Sequence, residues 1–182
     1  SEETLIENID IEVTVKAPED TGWRFTGGLA GKFECGTINR ATVSGTVWGA
    51  TVVGGIVGKL FANSTLSNSR FTGEVRGYKN GGGVIGQFDG GTAFNCFTSS
   101  DVIQNSNSVQ SMSPSVGVGT GGSDNIFYNS DMKFELDDGG SLTINSGDSS
   151  TPLNTMEITD ITKFTGWDFT NIWTMGELMP EL

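Results

Sequence analysis

VGGIVG, residues 53–58, returns twice in altered form, as TGGLAG at 26–31 and as GGGVIG at 81–86. Two glycines, two aliphatic residues and a glycine allow two readings: a nucleotide-binding loop, or the recurring corner of something stacked. The phosphate-loop pattern GxxxxGK[ST] needs a glycine where Val53 stands and a hydroxyl where Leu60 stands. No helical pattern follows to aim its N-terminus at a phosphate. The stacked reading fits the pattern.

Aligned on these blocks, the chain shows three full units. They are GGLAGKFECGTINRATVSGTV (27–47), GGIVGKLFANSTLSNSRFTGEV (54–75) and GGVIGQFDGGTAFNCFTSSDV (82–102). The period is therefore 27 or 28 residues. A long polar and a large apolar residue follow each block: Lys32-Phe33, Lys59-Leu60 and Gln87-Phe88. Further on come Ile38, Leu66 and Ala93, then alternating segments ending at Val47, Val75 and Val102. Asn68–Val75 aligns without a gap on Asn95–Val102. Two partial units flank these. Asn8–Val15 fits the back half of a unit, and Asn125–Ser130 fits the asparagine column after a glycine block decayed to Gly117-Val118-Gly119.

A unit this short, with alternating runs and no helical period, cannot bury itself alone, whereas stacked copies can. The pattern predicts an all-β chain, a parallel β-solenoid of about five coils spaced ~4.8 Å apart. Glycine recurs in register where each corner takes positive φ or passes close to the backbone of the next coil. The expected organisation is solenoid over 1–135, with units near 1–26, 27–53, 54–81, 82–112 and 113–135. Residues 136–182 then form a loop and an aromatic cap within the same domain. Residues 137–152 read as a loop or hairpin and Met156–Asp160 as a short helix. Trp167, Phe169, Ile172 and Trp173 are expected to cover the last coil, whose exposed edge would otherwise pair with another chain.

Composition agrees. The 27 glycines and abundant Ser, Thr and Asn favour turn-rich β structure over a helical bundle. The net charge of −12 carries no basic stripe, which speaks against nucleic acid and against an anionic membrane surface. No run is long and apolar enough to span a bilayer, and no signal peptide is evident. The absence of histidine excludes His-based triads and HExxH zinc sites but leaves carboxylate chemistry open. Cys35, placed in a loop, and Cys96, placed in a strand two rungs away, are too far apart for a disulfide and read as free thiols. The chain begins at Ser1 and opens within a unit, which predicts a piece of a larger polypeptide.

The blocks GGIVG…LSNSRFTGEV and GGVIG…NCFTSSDV resemble the GLUG repeat, and FTGWDFTNIWTM followed by Pro180-Glu181-Leu182 is similar to the segment that often closes it. The departures are Arg40 in the asparagine column and the eroded fourth glycine block. The resemblance implies a non-catalytic module of a secreted or cell-surface bacterial protein. The roles it implies are adhesin-like binding, spacing, or an accessory region such as that of immunoglobulin A-specific metallopeptidases. It carries no catalytic motif and no cofactor. Its implied partners are a host glycan or a host surface protein.

Three kinds of site remain to be placed. Loops following the valine column (16–24, 48–51, 78–81 and 104–112) should emerge on one side. Trp48, Tyr78 and Trp23 are the candidate ligand contacts there, able to offer flat faces to a sugar ring or a protein, or else to lie over their own loops. Calcium is conceivable at Asp89, Asp124, Asp131 and Asp137-Asp138, but neither DxDxDG nor GGxGxD occurs, and a solvated acidic face is the better reading. Glu74 and Asp101 share a column, as the paired carboxylates of a polysaccharide-processing β-helix enzyme would. That column is outward-facing, interrupted by Thr46, and holds no Lys or Arg, so no catalytic residues are assigned.

Overall fold

The computed structural model describes residues 3–17, 24–105, 112–145 and 147–182. The chain is a parallel β-solenoid of about five turns, as its repeats predict. The first long strand is β1 (Thr4–Lys16). Each following coil opens with a short strand: β2 (Phe25–Gly27), β4 (Val52–Gly54), β7 (Asn80–Gly82) and β10 (Met112–Ser113). A longer face follows each. It is β3 (Ala30–Gly49) in one coil, then β5 (Val57–Ser67) with β6 (Arg70–Gly77), and β8 (Ile85–Asp89) with β9 (Thr92–Gln104). The last coil has β11 (Val116–Gly119), β12 (Gly122–Asn129) and β13 (Phe134–Leu136). The short strands stack in the order β10-β7-β4-β2, and the long faces form a sheet of ten strands that also takes in β14 (Thr151–Leu153).

The columns read from the sequence are the columns of the structure. Ile38 lies on Leu66 and Leu66 on Ala93, and Val47 lies on Val75, which lies on Val102. All six are buried. The glycines answer to close approach. A Cβ on Gly27 would stand 2.6 Å from Gly58 N, and one on Gly54 would stand 2.6 Å from Gly86 N. Only glycine permits that backbone contact.

The asparagine column has its own cause. Asn8, Arg40, Asn68, Asn95 and Asn125 all have φ between 46° and 56°. Asparagine is the side-chain-bearing residue that tolerates this left-handed conformation best. Here it also builds a ladder. Asn125 Nδ2 donates to Asn95 Oδ1 (3.3 Å), Asn95 Nδ2 to Asn68 Oδ1 (3.2 Å), and Asn68 Nδ2 to Asn39 Oδ1 (2.9 Å). Arg40 keeps the turn, and its neighbour Asn39 supplies the missing rung, donating in turn to Glu7 (2.6 Å).

Four expectations need correction. The fourth glycine block is not Gly117-Val118-Gly119. Ser113 pairs with Gly82 and Val116 with Ile85, so the block is Ser113-Pro114-Ser115-Val116-Gly117, and Gly117 occupies its last position. Cys35 lies within β3, beside a register shift between Phe33 and Cys35, rather than in a loop. Both thiols are free, and burial pushes the Cys96 thiol up to about 12. The helix expected at Met156–Asp160 is a 3-10 turn over Glu157–Thr159, followed by a second over Ile161–Lys163.

The fourth correction concerns the cap. The aromatic segment runs chiefly down the side of the stack, and of the expected cover Trp167 reaches the last coil, its Nε1 donating to Asn125 O (3.1 Å). Trp167 and Trp173 stack at 4.1 Å, and Phe164 meets Phe97 of β9 and Phe127 of β12 at 6.1 and 5.1 Å. Phe97 and Phe127 are neighbours in one outward column that continues through Arg70, Thr42 and Asp10. Arg70 Nη1 donates to Pro180 O (2.8 Å), tying the end of the segment to the same face. There β15 (Thr174–Met175) and β16 (Pro180–Glu181) pair antiparallel. Most of the cover at the end of the solenoid comes from residues 141–145 and 147–153. Asp148 Oδ2 accepts from Ser115 N (3.1 Å) and Val116 N (3.2 Å), Asn145 N donates to Ser113 Oγ (3.2 Å), and β14 pairs with β12.

Candidate ligand-binding groove

The outward column next to the buried valines runs Lys16, Trp48, Arg76, Ile103, Glu135. Strand alternation makes it outward, because the valines beside it point in. Beyond it the chain turns through Gly49 and Gly77, which are paired across the coils. The turns then stack on one another: Ala17 N donates to Trp48 O (2.8 Å), Asn80 N to Thr51 O (2.9 Å) and Asn105 N to Gly77 O (2.9 Å). The described parts of the loops thus emerge together on one side.

They form a groove of about 210 Å³ lined by Trp48, Arg76, Gly77, Tyr78, Ile103, Asn105 and Asp137. Trp48 and Tyr78, from adjacent coils, are therefore brought together, each half-buried. Trp23 lies outside the described residues. Lys16 Nζ sits 4.1 Å over the Trp48 ring, so part of that ring stabilises its own corner. Asn105 Nδ2 donates to Asp137 Oδ2 (3.3 Å) at the far wall.

Arg76 is the residue that sequence reading missed. It stands outside the Glu74 column, one outward position along the strand, and bends back. Its Nε and Nη2 donate to the two Glu74 oxygens at 2.7 and 3.1 Å. The Glu74 hydrogen bond, reinforced by the charges of Glu74, Asp137 and Asp101, raises the guanidinium further above its ordinary value against an opposing effect of burial. The i, i+2 spacing Glu74-x-Arg76 on one strand face was the signal. Asp101 faces Glu74 across the ladder and accepts from Lys133 N (2.9 Å). The two carboxylates of the shared column are thus already engaged.

The other acidic residues are dispersed. Asp89 pairs with Lys59 (3.0 Å), Asp131 accepts from Thr155 N (2.8 Å), and Asp138 accepts from Gly140 N (2.9 Å). Among the described residues no group of three or more His, Cys, Asp or Glu is placed to hold a metal.

Chemically, the groove offers aromatic faces, a fixed cation, an amide and a carboxylate within the space of about one sugar ring. The family model of the GLUG motif matches residues 49–76, the stretch from the turn after Trp48 through β4, β5 and Arg76. No curated protein and no solved structure matches the chain.

Proposed function

We propose that this GLUG-motif solenoid is a non-catalytic module of a secreted or cell-surface bacterial protein, and that it binds an extracellular partner through the Trp48–Tyr78 groove. One observation carries the reading: two aromatic residues from adjacent coils share a groove with Arg76, Asn105 and Asp137. Sugar rings stack on aromatic faces, and their hydroxyls pair with amides, carboxylates and guanidinium groups. Glu74, Asp101 and Asp137 surround the cation, and the whole chain carries −12, so a neutral saccharide fits better than an acidic one. The stacked core supplies the rigid platform on which such a loop site keeps its geometry.

The rival reading is a polysaccharide-processing enzyme using Glu74 and Asp101. It is weakened by Arg76 clasping both Glu74 oxygens. Turnover of a neutral or acidic polysaccharide would restore it.

The deciding experiment is binding of the purified chain to an array of host glycans and mucosal proteins, with calcium and with chelator. The expected result is a neutral-glycan hit whose affinity falls about tenfold or more, ~1.4 kcal/mol, in Trp48→Ala and Tyr78→Ala. A clean negative overturns the binding role in favour of a spacer. Loss of binding on chelation would place the ligand at a metal and not at this groove.

A further inference from the structure

The two ends of the stack are unlike. The end at Ser113–Gly117 has its backbone donors taken up by Asp148 and its long strand paired with β14. At the other end, β1 pairs with β3 on one side, and no described strand lies on its other side. Ile6, Ile11, Val13 and Val15 of β1 continue the interior columns and are only partly buried. A strand of 13 residues with one free edge and a half-open core is a template for pairing.

The shape of this edge selects its occupant. Asn8 has φ 56° and puts a kink in the middle of β1. Everywhere else in the stack the kinks are superposed. Glu7 lies on Asn39 and Ile9 on Ala41, so Asn8 sits on Arg40, and Asn125 Nδ2 likewise reaches Asn95. A straight or antiparallel strand keeps register on one side of such a kink and loses it on the other. Two features oppose a second copy of this chain. Its own β1, approaching antiparallel, would crowd Glu7, Asp10 and Glu12 of both copies, all exposed acids, onto one seam. A parallel approach would need its far end, which is covered.

We propose that the free edge of β1 binds a further parallel coil of the same repeat. That coil has an asparagine in the left-handed position over Asn8 and basic residues in the Asp10 and Glu12 columns. Its asparagine extends the ladder, its apolar residues close the core over Ile11 and Val15, and its cations neutralise the acidic edge. The same acids set this edge against self-pairing.

The test uses a peptide of this chain's own residues 66–77, LSNSRFTGEVRG, carrying Thr72→Lys to face Glu12 and Arg76→Glu to face Lys16. Register places its Asn68 over Asn8 and its Arg70 over Asp10. Amide hydrogen exchange on the full chain reads the site. Saturable protection confined to 4–16 is expected, weakened about tenfold by Asp10→Lys in the protein or Asn68→Val in the peptide, and weakened by salt. In a second arm the same coil is joined to the N-terminus by a flexible linker of about 15 residues, giving roughly millimolar effective concentration. Unprotected β1 amides in that fusion overturn the proposal. Equal protection by a reversed-sequence peptide overturns it too, as does concentration-dependent protection of β1 in the chain alone, which would make a second copy the occupant.

Discussion

Two surfaces of this solenoid are covered by segments that follow one another in the chain, and the coverings share almost no chemistry. The end of the stack is met by Asn145, Asp148 and Ser149, polar residues that address backbone amides and hydroxyls. The side of the stack is met by Phe164, Trp167 and Trp173, buried against Phe97 and Phe127. The difference follows from what each surface exposes. A strand edge presents N–H and C=O groups, which cost about 1–3 kcal/mol each if buried unpaired, so it calls for hydrogen-bond partners. A sheet face presents side chains, and where those are Phe97 and Phe127 it calls for apolar area.

The larger effect lies at the side. Phe97→Ala removes a fully buried ring from under Phe164, and should cost about 3–5 kcal/mol in urea unfolding. A loss near zero would mean that the aromatic segment is not held by this column. At the end, Asp148→Ala leaves Ser115 N and Val116 N without their acceptor and should cost ~1.5–3 kcal/mol. Asp148→Asn, which keeps an acceptor oxygen, should recover part of that loss. If both variants behave alike, the charge matters and the hydrogen bonds do not.

The smallest effect is that of acid. Asp168 is held below the usual carboxylate range by the Asn171 side chain, then by the Thr170 and Asn171 backbone N–H groups, with the Arg40 charge adding to them. Asp160 is lowered by the Thr162 hydroxyl and N–H, and Asp131 by the Thr155 N–H and side chain. A depressed carboxylate stabilises the fold above its unfolded pKa of about 4, and that contribution is lost as pH falls through the lower folded value. Trp167 and Trp173 emission should therefore shift towards longer wavelength below pH ~4, with little change between pH 5 and 8. A shift centred near neutrality would point to a different group.

Much of the fold was legible because a solenoid column is a local demand repeated. Each corner needs glycine for the same backbone contact, and each kink needs a residue that accepts positive φ, so the sequence repeats the answer at Gly27, Gly54 and Gly82 and at Asn68, Asn95 and Asn125. Where the demand was met by other residues, the pattern misled. Ser113-Pro114-Ser115 fills the fourth block without its first two glycines, so Gly117-Val118-Gly119 imitates a block that in fact ends at Gly117. The groove was half legible. Trp48 and Tyr78 follow the valine column and so share a side, but Arg76 reaching Glu74 depends on rotamers that strand spacing does not specify.

Periodicity alone fixes about five parallel coils and the register of the buried columns across the three full units, but not that of the last coil. These follow from periodic chemistry that needs no knowledge of distant contacts. Which covering segment meets which surface depends on the stacked coils. FTGWDFTNIWTM is apolar enough for either, and its destination was settled by Phe97 and Phe127, which lie 67 and 37 residues before Phe164 and become one patch only when their coils are stacked.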